Sequence, residues 1–516
     1  MRALSTHYEQ VLRQFPGARP ILVSDIDGTI LDMRNMIVSV LHGYDRAHGT
    51  RYFERLAARD ITVHENQVDV LLAVLHVPEA ARPAVVDYYV RERWNPEAIE
   101  EMHRPFAGVL EAMRWFQLQP DTFVGLLTGR PEKLRAETLR CLNQLGEPYR
   151  VTFADDLLFM NPGDWEQGVT NMKVAGIRLF TEAGYHPFAF IDNEPANLAA
   201  VGAAYPDGQL LLLHADTIFE SKRHELPTSG VGGTAYRLDE LIPDSQALPQ
   251  RVQLVWHGVN DEANLRQFLA SSVHWAEVDA RLEPALSDVI LRGDSFADRP
   301  PTAGEQWLTL RDALAILRNS GRALKIDLKG PPPLHERVLA LVRDAELEAT
   351  DLWFNARIDD LREVGFAQLK AAFPNAIRQC PADWLVPLLR AAPDTARAVL
   401  EMLRGWGITR FSFAWTPRDL PEIIGLMDRW AYEINVYNVA DLEQFLQAVL
   451  LLPSSVTSDF NFPKWHHYGR GPGKGGAFHP HALDERGPGA GEGARDGGPG
   501  FSPAMPSGAT RIGDPK

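Results

Sequence analysis

Cysteine is almost absent from this chain: 516 residues carry two, Cys141 and Cys380. That count excludes a disulfide framework and a cysteine-based metal cluster. Positive charge is also short, with 52 Lys and Arg against 68 Asp and Glu, a formal net charge of −16 and a pI near 5.5. Coating nucleic acid needs a basic face, so that role is excluded, while a local basic pocket is not. No apolar run approaches the ~20 residues that a spanning helix needs. The opening residues, Met1-Arg2-Ala3-Leu4-Ser5-Thr6-His7, lack the apolar core of a signal peptide. A cytoplasmic protein with no membrane span is expected. Dinucleotide fingerprint, Gly-rich Lys-Ser/Thr loop and internal repeat are all missing.

What is present has the composition of a globular protein, 45% hydrophobic and 23% charged. The length allows about two to four domains. The most informative stretch is Ile21-Leu22-Val23-Ser24-Asp25-Ile26-Asp27-Gly28-Thr29. Its apolar run reads as a buried parallel strand. Asp25 and Asp27 alternate to the same side, where two acids can share a metal or divide nucleophile and acid roles. Gly28 permits a tight turn away from the strand. Two further apolar runs end in polar residues: Phe123 to Leu127 before Thr128-Gly129-Arg130, and Phe188 to Ile191 before Asp192-Asn193-Glu194. Lys173 lies between them, in Asn171-Met172-Lys173-Val174. The bland readings are a solvated strand end for the two aspartates, a helix N-cap for Thr128 and a surface position for Lys173.

These four pieces, in this order, resemble the haloacid dehalogenase superfamily, and specifically its phosphatases, over residues 15 to 220. The resemblance implies Asp25 as a nucleophile that carries an aspartyl-phosphate, and Asp27 as the acid that protonates the leaving oxygen and then deprotonates water. Thr128 is then expected to hydrogen-bond a phosphoryl oxygen, and Lys173 to offset negative charge. Gly28, Thr29, Gly129 and Arg130 would meet the substrate. Mg²⁺ would be held by Asp25, Asp27, Asp192 and Glu194, the last in place of the family's usual second acid.

Strands expected at 20–25, 123–127, 150–153, 188–191 and 209–213, with helices between them such as Glu132 to Leu145, describe a doubly wound parallel sheet over residues 1–220. Ligands in such sheets sit at the carboxyl ends of strands. The insert 33–105, with helices over Val68–Val77 and Ala84–Arg93, resembles a helical cap that closes over the site. Its His64, Glu65 and Arg104 read first as surface residues, with substrate contact as the alternative. Residues 221–250, with Pro227-Thr228-Ser229-Gly230, read as a linker holding a short helix near Leu238.

Eight strand-like runs recur over residues 251–468, with helices between: Val252–His257, Trp275–Asp279, Ala323–Leu328, Asp351–Asn355, Ala376–Gln379, Thr409–Phe413, Tyr432–Val436 and Ser455–Asp459. That rhythm predicts a (β/α)₈ barrel; a second doubly wound sheet would not need eight. Polar residues gather at the strand ends: His257, Glu277 with Asp279, Asp327 with Lys329, and Asn355. Here the chain resembles the glycerophosphodiester phosphodiesterase-like barrels and their menorin branch. The resemblance implies that Glu277, Asp279 and Asp327 bind a second divalent cation, Lys329 faces a phosphate oxygen, and His257 acts as acid or base. Gly293 stands where active diesterases carry a second histidine. The bland readings are an Asp327–Lys329 ion pair bracing the barrel and an ordinary core histidine at 257. Trp406, Trp415 and Trp430 read as packing. Residues 469–516, rich in Gly and Pro, are expected to be a disordered tail, with His466, His467, His479 and His481 incidental.

The expected protein is a Mg²⁺-dependent phosphomonoester hydrolase with an appended barrel. The barrel either cleaves a phosphodiester or, as the alternative, binds a phosphorylated ligand without catalysis. The partner is a small phosphorylated metabolite or phosphodiester.

Overall fold

The structure is a computed structural model. It describes residues 1–458 apart from 96–97, 100–101, 164–167, 218–224, 243–247, 286–287, 303, 319 and 346. The Gly/Pro tail (469–516) and the four histidines beyond 465 lie outside the described residues.

Six strands build the first sheet: β1 (Pro20–Ser24), β2 (Phe123–Pro131), β3 (Leu158–Asn161), β4 (His186–Asp192), β5 (Leu211–Ala215) and β6 (Gly230–Gly233). Their order is β3-β2-β1-β4-β5-β6 and every pairing is parallel. Period-two alternation serves both faces. Ile21 and Val23 join Leu127, Phe190, Ile177 and Leu198 on one face, while Leu22 joins Leu126, Phe188 and Met113 on the other. The chain leaves β1 for β2 and β3 on one side and returns to β4, β5 and β6 on the other. The β1–β4 seam is thus the topological switch point, where such sheets bind ligands.

Two expectations about this half change. Residues 150–153 are not a strand. Val151 and Phe153 are buried, but their N–H groups donate to the Gly146 carbonyl (3.0 Å) and to Asn143 Oδ1 (2.7 Å). The preceding helix, Arg135–Gly146, satisfies them, so no sheet partner is needed, and the neighbouring strand forms later, as β3. The presumed linker contributes β6, whose small residues add a parallel edge to β5. The short helix is there, at Leu238–Leu241. The insert holds helices Met33–His48, Val68–Val74 and Arg82–Glu92.

The second half closes into a parallel barrel of eight strands: β7 (Gln253–Trp256), β8 (Trp275–Leu282), β10 (Ala323–Leu328), β11 (Leu352–Ala356), β12 (Ile377–Pro381), β13 (Arg410–Ala414), β14 (Glu433–Val439) and β15 (Ser455–Ser458). The short β9 (Val289–Leu291) folds back antiparallel on β8. β15 pairs with β7 and β10 with β8, which completes the ring. Inward positions two apart form layers. Val255, Trp275, Ala323 and Trp353 make an apolar floor. Above it Lys325 is level with Glu277, and above them Asp327 is level with Asp279. The carboxylates therefore sit at the carboxyl ends of the strands, where barrel enzymes keep their chemistry.

The halves are held together by Arg150, which donates to the Leu451 carbonyl at 2.7 Å and pairs with Asp428. Gly108 (φ 83°) packs so closely that a Cβ there would lie 2.1 Å from the Tyr236 carbonyl oxygen. Tyr236 in turn donates its hydroxyl to the Thr29 carbonyl (2.8 Å), behind the Asp25 loop. Gly108→Ala combines that clash with an unfavourable φ. It should destabilise the fold by about 2 kcal/mol or more, read as a lower urea midpoint.

Candidate active sites

At the end of β1 the chain places a carboxylate at the switch point and then compensates it. Asp25 is 6% exposed. Its N–H donates to the Ile191 carbonyl of β4 (2.8 Å), its Oδ1 takes the Lys173 ammonium, and its Oδ2 accepts from Thr29 Oγ1 (3.2 Å). Lys173, on helix Val169–Glu182, is 1% exposed and reaches across to Asp192 Oδ2 at 3.0 Å and the Leu127 carbonyl at 2.6 Å. It is not a surface lysine. Burial pushes the Asp25 carboxyl up, to about 8; Lys173 opposes this, and Asp192 and Asp27 add to it. Burial would lower the Lys173 ammonium, yet Asp192 and Asp25 outweigh it and hold it above its ordinary value. Asp192 is fully buried and also accepts from Glu194 N–H (2.8 Å) and Asn197 Nδ2. Thr128 lies within β2, so it caps no helix. Its Oγ1 accepts from the Arg130 N–H (3.2 Å) and keeps its own proton to donate.

Three side chains are placed differently from expectation. Arg130 does not face open solvent where substrate would enter. It is fully buried and grips Asp27 with two bonds, Nε to Oδ2 at 2.8 Å and Nη2 to Oδ1 at 2.6 Å. A planar guanidinium matches a carboxylate in this bidentate way, and the β2 strand end aims it there. Burial would raise the Asp27 carboxyl, but Arg130 wins and holds it below its ordinary range. His64 and Glu65 are buried, not surface residues. His64 Nε2 lies 3.1 Å from both Glu65 Oε2 and Glu194 Oε1, which ties the insert to the loop after β4. Arg104 is exposed, as read. Gly28 (φ 81°) makes the turn after Asp27, and Gly129 lies in β2 against Val169.

In the barrel, Glu277, Asp279 and Asp327 bring carboxylate oxygens within 4.8 Å of one another. Among the described residues this is the one cluster of three or more candidate metal-ligating side chains so close. Lys329 Nζ lies 2.9 Å from Asp279 Oδ1 and also pairs with Asp327. The bracing ion pair is therefore real, and it sits inside the acid cluster. Burial, then Asp279, pushes the Glu277 carboxyl up. Burial acts the same way on Asp279, but Lys329, His257 and Asn260 hold that carboxyl well below its ordinary range. His257 Nε2 is 3.8 Å from Glu277 Oε2, and its side chain is 32% exposed, too open for a core histidine. Gly293 lines the same wall: a Cβ there would lie 3.1 Å from Asp279 Oδ2.

Three residues support these sites; Asn260 and His103 carried no sequence signal, whereas Asn355 stood out as a polar strand end. Asn260 exchanges two hydrogen bonds with Asp279, through Nδ2 to Oδ2 (2.6 Å) and from the Asp279 N–H (2.8 Å). Asn355 donates to Asp327 Oδ1 (2.8 Å) and accepts from Gln379 (2.8 Å). His103 lies 3.4 Å from Arg130 Nη2.

Both acid sets offer hard oxygen donors suited to a divalent cation such as Mg²⁺. In the barrel three carboxylates converge. In the sheet half Asp25 and Asp192 share Lys173, whereas Asp27 and Glu194 are engaged by Arg130 and His64.

No protein-family profile and no curated relative matches the chain. Solved structures do. A phosphodiesterase from Oleispira antarctica, in complex with its product sn-glycerol-3-phosphate, is 15% identical over 41% of this chain and 94% of its own, with a TM-score of 0.32. A haloacid dehalogenase-superfamily hydrolase from Geobacter sulfurreducens is 13% identical over 43% of this chain and 96% of its own, with a TM-score of 0.29. A hydrolase of the same superfamily from Deinococcus radiodurans, with bound phosphate and sodium, is 16% identical over 40% and 85%, with a TM-score of 0.27.

His103 gives the sheet half an acid sensitivity. It is 1% exposed, and burial, then Arg130, pushes its imidazole down to about 4 from 6.5. Between those values the unfolded chain binds a proton that the folded chain refuses, so stability falls as pH falls through the window. The full window is worth about 3 kcal/mol. His103→Gln should flatten the fall in urea midpoint between pH 6.5 and 4.

Proposed function

We propose that the sheet half hydrolyses phosphate monoesters through an aspartyl-phosphate on Asp25, within about residues 1–220, and that the barrel, about 251–468, is a second phosphoester site. The observation that supports the first part is Lys173 bridging Asp25 and Asp192 at the switch point. A buried carboxylate faced by one fixed ammonium is aimed and partly neutralised, so it can approach an anionic phosphate. An Asp25 oxygen forms the bond to phosphorus as the ester P–O bond breaks. The Thr128 hydroxyl and the backbone about Gly28, Thr29 and Gly129 steady the phosphoryl oxygens. Water then attacks phosphorus, Asp27 takes its proton, and the Asp25 oxygen–phosphorus bond breaks, which frees the carboxylate and releases phosphate. The bidentate hold of Arg130 keeps Asp27 ionised, which favours this base step over donation of a proton to the leaving oxygen. Esters whose leaving groups need little protonation are therefore the better substrates. A divalent cation held by Asp25 and Asp192, beside Asp27 and Glu194, would supply further charge against the phosphate.

The barrel reading is favoured by its acid cluster. Glu277, Asp279 and Asp327 would hold a divalent cation, and Lys329 would meet a phosphate oxygen. His257, beside Glu277, would move a proton at the leaving or attacking oxygen. With Gly293 offering no second imidazole, slow diester cleavage is expected. If both sites work, the barrel opens a diester and the sheet half removes the exposed monoester.

With p-nitrophenyl phosphate and Mg²⁺, Asp25→Asn should lower turnover by more than about 10³-fold. Unchanged turnover would remove Asp25 as the nucleophile. With bis(p-nitrophenyl) phosphate and Mg²⁺, Mn²⁺ or Ca²⁺, Asp279→Asn should abolish a slow hydrolysis that Asp25→Asn retains. No hydrolysis by the wild-type chain would leave the barrel as a binding module for a phosphorylated ligand.

A further inference from the structure

The seam between the two halves holds a half-open pocket of about 130 Å³ that neither acid set uses. Glu111 and Arg114 enter it from helix Val109–Leu118 of the sheet half, with Tyr149 beside them. Trp415, Gln447 and Leu450 line it from the barrel. Trp415, read from sequence as packing, is half-buried and gives the cavity an aromatic wall.

The two charges are three residues apart on one helix, so they lie side by side on one face. Yet among the described residues neither forms an ion pair. Glu111 Oε1 accepts from Gln447 Nε2 at 3.4 Å. Arg114 donates Nε to the Leu450 carbonyl (3.3 Å) and Nη1 to the Arg150 carbonyl (2.9 Å). Those two bonds fix the guanidinium and leave Nη2 for a guest. Burial, with Glu443 adding to it, pushes the Glu111 carboxyl up to about 7. Burial, with Arg150 and Arg251, brings the Arg114 guanidinium down to about 10. Both side chains are partly buried and, among the described residues, meet no counter-charge, so a ligand can supply both.

We propose that this cavity binds a small zwitterion, a free α-amino acid with an apolar side chain. Its ammonium meets Glu111, its carboxylate meets Arg114, and its side chain lies against Trp415, Tyr149 and Leu450. An ammonium near Glu111 also gains from the neighbouring aromatic faces. An anion alone leaves Glu111 unmatched, and a cation alone leaves Arg114 unmatched. Because residues of both halves touch the guest, binding stabilises the closed seam by mass action.

The test uses the full chain and isothermal titration calorimetry, with L-phenylalanine and L-leucine as probes. Phenylalaninamide, which lacks the carboxylate, and 3-phenylpropionate, which lacks the ammonium, complete the panel. The amino acids should bind and raise the melting temperature, and each one-charge analogue should bind more than about tenfold more weakly. Glu111→Gln, nearly isosteric, should lose the same factor. Trp415→Phe should retain binding and lose the ligand-induced change in tryptophan emission. No binding by any apolar amino acid overturns the proposal, as does binding that Glu111→Gln leaves unaltered. Neither result bears on Asp25 or on the barrel acids.

Discussion

A buried ammonium decides the sheet half. Lys173 sits among the carboxylates of Asp25 and Asp192 and the carbonyl of Leu127, almost out of reach of water. Two aspartates at neighbouring strand ends would repel each other strongly in so dry a place. One lysine converts that repulsion into an ordered network. Everything placed around the site supports that arrangement. Thr29 steadies Asp25, Asn197 and the Glu194 N–H steady Asp192, and Tyr236 backs the loop that carries Thr29.

The barrel repeats the device on an unrelated scaffold. Asp279 and Asp327 are level on adjacent parallel strands, and Lys329 lies across them. The shared logic is that of parallel strands. Their carboxyl ends converge on one face, so acids placed toward those ends become neighbours although they come from segments far apart in sequence. The cost of crowding them is met locally by a lysine and by amide side chains, Asn260 and Asn355.

Strand ends were the legible part of this chain. Short apolar runs marked β1, β2 and β4 and all eight barrel strands to within a few residues. Hydrophobic period reports burial, not pairing, and that is why residues 150–153 misled. Val151 and Phe153 are buried as a strand's residues would be, but a helix end and the Asn143 side chain use their N–H groups. The Gly-rich stretch before Leu238 misled in the opposite direction. Its glycines look like linker, but β5 offers an unpaired edge that a short backbone segment can complete.

Partner choice among charged residues was not legible. Arg130 follows Thr128-Gly129 and reads as a residue for substrate, and His64-Glu65 reads as surface. Folding instead turns Arg130 onto Asp27 and brings His64 onto Glu194 from a separate insert. Local sequence determined which residues end the strands and which chemistry they carry, because strand identity follows from apolar period and strand-end composition over a few residues. Tertiary structure alone decided which acid meets which base. Those outcomes depend on distances between segments far apart in the chain, and the energy of a buried charge depends on such distances steeply.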